Sequence, residues 1–178
     1  MRLGDFSVCV PEGVEKESGY VEMVHGTKYK LQLSNTSRRP CDAEVHIDGK
    51  HVGTWRINAG VVALLERPVH DTGRFTFYRL KTQEASKAGL VRSEKLGLIS
   101  VVFKPELAPD SGMRFSAEAD FEAGGTGLSG RSEQTFRKVP ALNYDPFGFI
   151  TIHLRLVSSE DEPRPLTPSS TPIPPPVR

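Results

Sequence analysis

From Asp5 to about Val157 the chain consists of short segments in which apolar and polar residues alternate with a period of two, separated by Gly, Pro, Asn and Asp. A helix would repeat its apolar positions every three or four residues, so this pattern specifies strands, each with a dry and a wet face. TKYKLQLSN is the plainest case: Tyr29, Leu31 and Leu33 point one way and Lys28, Lys30 and Gln32 the other. CDAEVHID sends Cys41, Ala43, Val45 and Ile47 inward, and RFTFYRL puts Phe75 and Phe77 on one side with Leu80 out of phase. GLISVVFK is continuously apolar, as suits a central strand buried on both faces or turning a corner.

The punctuation has its own chemistry. Asp48-Gly49 tolerates the positive φ of a two-residue hairpin turn, which makes CDAEVHI and HVGTWRI neighbours in one sheet. A longer loop, LSNTSRRPC, leads into that hairpin; Asn58 to Gly60 makes another turn, and Pro68 closes the apolar strand after it. TQEASKAGL predicts one short helix ended by Gly89. Without strand–helix–strand alternation, a doubly wound parallel sheet is disfavoured. The expected fold is all-β: a single antiparallel β-sandwich of jelly-roll type with about eight to ten strands. Its inner faces comprise Val8, Val10, Tyr29, Leu31, Leu33, Val45, Ile47, Trp55, Ile57, Phe75 and Phe77, with Ile99, Val101, Phe103, Ile150, Ile152 and Leu154.

This gives a domain over residues 1–157 and a different kind of segment over 158–178. SSEDEPRPLTPSSTPIPPPVR carries half of the 14 prolines and almost no large apolar side chains, so it forms no core element. It reads as an extended, polyproline-like tail. Such a segment loses less conformational entropy on docking than a flexible one. Pro163, Pro165, Pro172, Ile173, Pro174, Pro175 and Pro176 are therefore the candidate partner-binding residues.

Other chemistry is harder to build. A formal net charge of +1 supplies no field to draw the chain onto nucleic acid or an anionic membrane, and neither is an expected partner. MRLGDFSVCVPEG has no signal-peptide core, and nothing approaches the roughly 20 apolar residues of a membrane span. Export by a classical signal peptide is not expected, and the expected location is a virion or the cytoplasm. Cys9 and Cys41 lack a C-x-x-C partner and read as buried thiols.

Gly125, Gly127 and Gly130 match G-x-G-x-x-G, but a dinucleotide loop must follow a buried strand and open a helix. RFSAEADFEA before them alternates like a surface strand, and the segment after them is cut by Pro140, so they read as a loop between strands. His25, His46, His51, His153 and Asp48 could suggest a metal site, with His46 and Asp48 on one face; alternation puts His46 on the polar side, where it is solvated. Glu118 and Asp120 share a strand face and read as solvated, although two carboxylates can make a glycosidase. No nucleophile elbow or H-E-x-x-H appears. Asn35-Thr36-Ser37 matches a glycosylation sequon and reads as loop chemistry, and Arg38, Arg39, Arg131, Arg137 and Lys138 as a solubilising surface. No catalytic residue, cofactor or metal is assigned.

The segments YKLQLSNTSRRPCDAEVHIDGKHVGTW, FTFYRLKTQEASKAGL, LGLISVVFKP, GGTGLSGRSEQTF and ITIHLRLV together resemble a family of uncharacterised β-rich proteins of bacteria and large double-stranded DNA viruses, including phages. The resemblance covers roughly residues 20–157, excludes the tail, and carries no catalytic residues. It implies that GTGLSGRSEQTF feeds a late strand without a cofactor. The expected function is that of a non-enzymatic structural or assembly protein, such as a minor capsid, cement or decoration component of a virion, joined to other protein subunits in an oligomer or larger assembly. The alternatives are a glycan- or protein-binding module, for which exposed Trp55, Tyr144 and Phe147 would be the platform, and a hydrolase.

Overall fold

Asp48 and Gly49 adopt φ values of 53° and 84°, the left-handed pair of a tight hairpin. From that turn β6 (Cys41–Ile47) and β7 (Lys50–Ile57) run antiparallel. The structure is a computed structural model that describes residues 1–108 and 127–159. Before the hairpin come β1 (Arg2–Leu3), β2 (Phe6–Cys9), β3 (Val14–Glu15), β4 (Tyr20–Met23) and β5 (Leu31–Asn35). After it come β8 (Val62–Leu65), β9 (Gly73–Thr76), the helix α1 (Gln83–Lys87), β10 (Leu98–Pro105), β11 (Gly127–Arg131) and β12 (Ile150–Ser158).

The fold is mostly β. The strands form a four-stranded sheet in the order β1-β2-β5-β8, a six-stranded sheet in the order β3-β4-β12-β10-β6-β7, and a two-stranded sheet of β11 and β9. The two larger sheets contribute to one core, and Phe6 of the first stacks on Phe103 of the second with ring centroids 4.7 Å apart. Every expected inward residue is buried except Phe77 and Ile150, which pack half-buried against the core. Both sit at strand limits: β9 stops at Thr76, and Ile150 is the first residue of β12.

The structure corrects several expectations. Twelve strands are present among the described residues; β1 and β3 are only two residues long and lie at sheet edges, too short to alternate. β4 pairs with β12 in parallel, so the large sheet is mixed. Parallel partners lie far apart in sequence and leave no turn signal between them. β10 is central, between β12 and β6, but buried on one face only: Ile99, Val101 and Phe103 point into the core while Ser100, Val102 and Lys104 lie half-buried on the other side. Gly127 and Gly130 belong to β11 instead of forming a loop: Gly127 pairs with Thr76 of β9, and Gly130, at φ 66°, is the unpaired residue where the register shifts. Gly125 lies outside the described residues, as do Glu118, Asp120 and the tail residues Pro163, Pro165, Pro172, Ile173, Pro174, Pro175 and Pro176. The two cysteines are free; Cys41 is buried and Cys9 only half-buried. Burial pushes the Cys41 thiol up to about 12, which makes it inert as a nucleophile.

Two arginines tie loops to this frame. Arg155, on β12, is fully buried and donates to the carbonyls of Leu96 at 2.8 Å and Glu94 at 2.9 Å, pinning the loop that enters β10. That loop is drawn tight from both sides: the Gly97 amide donates to Asp48 Oδ1, and its carbonyl accepts from Leu156 N at 2.7 Å. A Cβ on Gly97 would stand 2.4 Å from the Leu156 carbonyl oxygen, and φ there is 74°. Arg67 donates to the Gln134 carbonyl at 3.0 and 2.5 Å and to the Asp71 carbonyl at 2.8 Å, and lies 4.3 Å over the Phe136 ring. The Gln134 side chain then caps the edge of β8, donating to the Leu64 carbonyl at 2.6 Å and accepting from Glu66 N at 3.1 Å. An amide placed there occupies the groups an added strand would use.

Candidate interaction surface

The outer face of the six-stranded sheet is built by alternation. Asp42, Glu44 and His46 of β6 project there, opposite Arg56, Thr54 and His51 of β7, and Lys104, Val102 and Ser100 of β10 lie on their other side. The side chains neutralise one another pair by pair. Arg56 Nε donates to Asp42 Oδ1 at 2.5 Å, and the Tyr144 hydroxyl donates to Asp42 Oδ2 at 2.7 Å. Lys104 is hydrogen-bonded to Glu44, and His46 Nε2 lies 3.7 Å from Glu44. Ser100 Oγ and His153 Nδ1 are 2.9 Å apart, and His46 and His51 have ring centroids 5.3 Å apart.

One end of this face is aromatic. The segment before β12 is held against β10 by the Glu106–Tyr144 bridge, by Leu107 N to the Asn143 carbonyl at 2.7 Å and by Asp145 N to the Pro105 carbonyl at 2.9 Å. Asp145 then makes the turn: its Oδ1 accepts from Phe147 N at 3.1 Å and its carbonyl from Gly148 N at 3.1 Å. The turn holds Phe147 in water, 98 % exposed, with Phe149 at 46 % beside it. The Tyr144 and Phe149 rings meet edge to face at 6.1 Å, and Lys104 Nζ lies 5.9 and 5.8 Å from their centroids. Contact continues along Asp42 and Arg56 to Pro140, whose carbonyl accepts from Arg56 Nη2 at 2.7 Å.

The electrostatics follow from burial and pairing. Burial and the hydrogen bond to Asp42 raise the Tyr144 phenol far above its ordinary range, so it stays a donor. Its bond to Asp42 and the Asp42 charge raise the Arg56 guanidinium against the cost of burial. Burial alone would raise the Glu44 carboxyl, but the Lys104 hydrogen bond and charge, with His46 and His51, hold it below its ordinary 4.5. Burial lowers His46 and His153 below 6.5, with Arg155 adding to the effect at His153.

A pH dependence follows. A histidine whose folded-state value is depressed is protonated more readily in the unfolded chain, so stability falls as pH drops below 6.5. Lowered Glu44, and Glu66 just after β8, stabilise the fold above 4.5 and withdraw that contribution as pH falls further. Thermal midpoints measured against pH should therefore decline in two stages. The first stage should be lost in His46→Gln/His153→Gln, and a midpoint that rises on acidification through the histidine range would contradict the assignment.

The residues singled out from sequence are distributed differently from expectation. Asp48 is buried in the hairpin turn, its carboxylate engaged by Gly97, so it does not share the face of His46. His25 is remote from them, accepting from Arg79 N at 3.1 Å beside Tyr78. Among the described residues no three His, Cys, Asp or Glu converge on a metal position. Trp55 is buried against Phe136, which removes it from any surface platform, whereas Tyr144 packs on Phe149 and Phe147 stands exposed two residues before Phe149. Asn35 of the sequon is fully buried, donating to the carbonyls of Arg39 and Ile57 and accepting from Ser37 N, so it is loop chemistry. Arg39 binds the Glu106 carbonyl at 2.7 Å, while Arg38, Arg131, Arg137 and Lys138 are exposed. Asp42, Arg56, Lys104 and Phe149 were not legible as a group, because hairpin register and a loop crossing bring them together. No helix among the described residues is long and apolar enough to cross a membrane. No protein-family model, no curated protein and no solved structure matches this chain.

Proposed function

We propose that this chain is a non-enzymatic structural or assembly protein, a single β-sandwich of jelly-roll type that engages neighbouring protein subunits through its aromatic corner and Pro-rich tail. Within that reading it is a virion component, such as a minor capsid, cement or decoration protein, as the resemblance to bacterial and viral β-rich proteins implies. The observation that carries the proposal is Phe147: a phenylalanine left 98 % exposed by a turn that three hydrogen bonds organise is a contact awaiting a partner. The polar groups behind it support a rigid platform, since Asp42, Arg56, Lys104 and Glu44 are already committed to one another.

The test is association. The core lies between Phe6 and Leu156 and β12 ends at Ser158, so a chain ending at Ser159 keeps every core residue. Sedimentation velocity should show the full chain associating with rising concentration or with the particle it belongs to. Ending the chain at Ser159, or introducing Phe147→Ser, should weaken that association at least tenfold with an unchanged thermal midpoint. Unchanged association in both variants would end the proposal. A glycan-binding module is the second reading, favoured by the exposed Phe147 and Phe149 rings and weakened by the burial of Trp55.

A further inference from the structure

The aromatic corner needs an occupant, and the chain carries a segment of matching chemistry. Exposed aromatic rings are the surfaces on which polyproline segments dock, because a proline ring stacks on an aromatic face and the extended backbone is already ordered. Residues 172–176 read Pro-Ile-Pro-Pro-Pro, the densest proline run in the sequence.

Reach decides whether the two can meet. Tyr144, Phe147 and Phe149 lie immediately before Ile150, where β12 begins, and the tail departs from the other end of that strand, at Ser158. Nine strand residues separate the two ends by roughly 26 Å at about 3.3 Å per residue. Residues 159–171, in extended polyproline geometry of about 3.1 Å per residue, cover roughly 40 Å. The proline run therefore reaches the corner of its own domain with slack for a reversal at the end of β12. A tether of this length would give it an effective concentration there on the order of millimolar, above that of a second copy in dilute solution.

We infer that Pro172–Pro176 docks on the Tyr144–Phe147–Phe149 corner of the same molecule. The inference rests on the proposed role of the corner as a contact surface and names its occupant. In an assembly, exchanging the same segment between copies would convert the contact into a link between subunits.

The experiment uses the full chain and its backbone amide resonances. Pro172→Ser, Pro174→Ser, Pro175→Ser and Pro176→Ser are introduced together, and Phe147→Ser is introduced separately. The proline variant should shift the amides of Lys104, Glu106 and residues 143–150 and leave those of the core in place, at a concentration where sedimentation velocity shows a single copy. Reciprocally, Phe147→Ser should move the amide of Ile173, the one residue between Pro172 and Pro176 that has an N–H. Unmoved corner amides in the first variant, or an unmoved Ile173 in the second, would overturn the inference. Shifts that are absent from the single copy and appear only where the chain associates would overturn it too, assigning the tail to a second copy. None of these outcomes depends on the association measured for Phe147→Ser, so tail docking and the corner's role in assembly can fail separately.

Discussion

Arg155→Met is expected to cost on the order of 2–4 kcal/mol of folding stability, measured by urea denaturation of the full chain. Arg155 is the largest of the fully buried side chains among the described residues, and burial lowers its pKa against the opposing influence of Tyr20 and Asp48. Replacing a whole buried ionic group by apolar residues is often harmless, because every charge leaves together. Here the acceptors are the backbone carbonyls of Glu94 and Leu96, which no substitution removes. Both bonds are part-buried, and each carbonyl would lose its donor, at up to about 1–3 kcal/mol apiece. Arg155→Lys should recover less than half of the loss, since an ammonium lacks the planar fork that serves two carbonyls at once. A cost below about 1 kcal/mol for Arg155→Met would show that the loop before β10 is held by other contacts.

Phe103→Ala should be severe as well, about 3–5 kcal/mol, because it empties a fully buried ring position in the central strand of the six-stranded sheet. Its ring stacks on Phe6 across the two sheets, so the informative measurement is a double-mutant cycle with Phe6→Ala. A coupling of about 0.5–1.5 kcal/mol is expected from the stacked pair. Additive effects would mean that the sheets do not depend on each other there, and the sandwich proposal would lose its energetic support.

The hairpin shows how much of this was legible beforehand. Alternation in CDAEVHI sends Cys41, Ala43, Val45 and Ile47 inward, and Trp55 and Ile57 are buried as their own segment suggests. A regular two-residue turn at Asp48-Gly49 pairs Ile47 with Lys50 and His46 with His51, which continued would set Asp42 opposite Trp55 and place a tryptophan on the wet face. The two readings conflict until a bulge intervenes. The register shifts between Val45 and His46, after which Val45 faces Gly53, Ala43 faces Trp55 and Asp42 faces Arg56. The Asp42–Arg56 pair behind the aromatic corner exists because of that one-residue shift.

Arg155 makes the complementary point. In TIHLRLV its phase is that of Thr151 and His153, the polar side of the strand, and nothing local says that a loop entering β10 will close over it. The glycine triplet, the histidines and the sequon likewise carry motif patterns whose meaning depends on what stands around them in space.

Strand phase, turn chemistry and the short helix are set by neighbours a few residues apart, where sterics and solvation act on each segment alone, and these could be read directly from the chain. Which strands pair, where the ladder slips, the parallel β4–β12 contact and the gathering of Tyr144, Phe149 and Lys104 were decided only by packing. Those choices minimise the free energy of a shared core, to which residues a hundred positions apart contribute together, and no single segment contains that information.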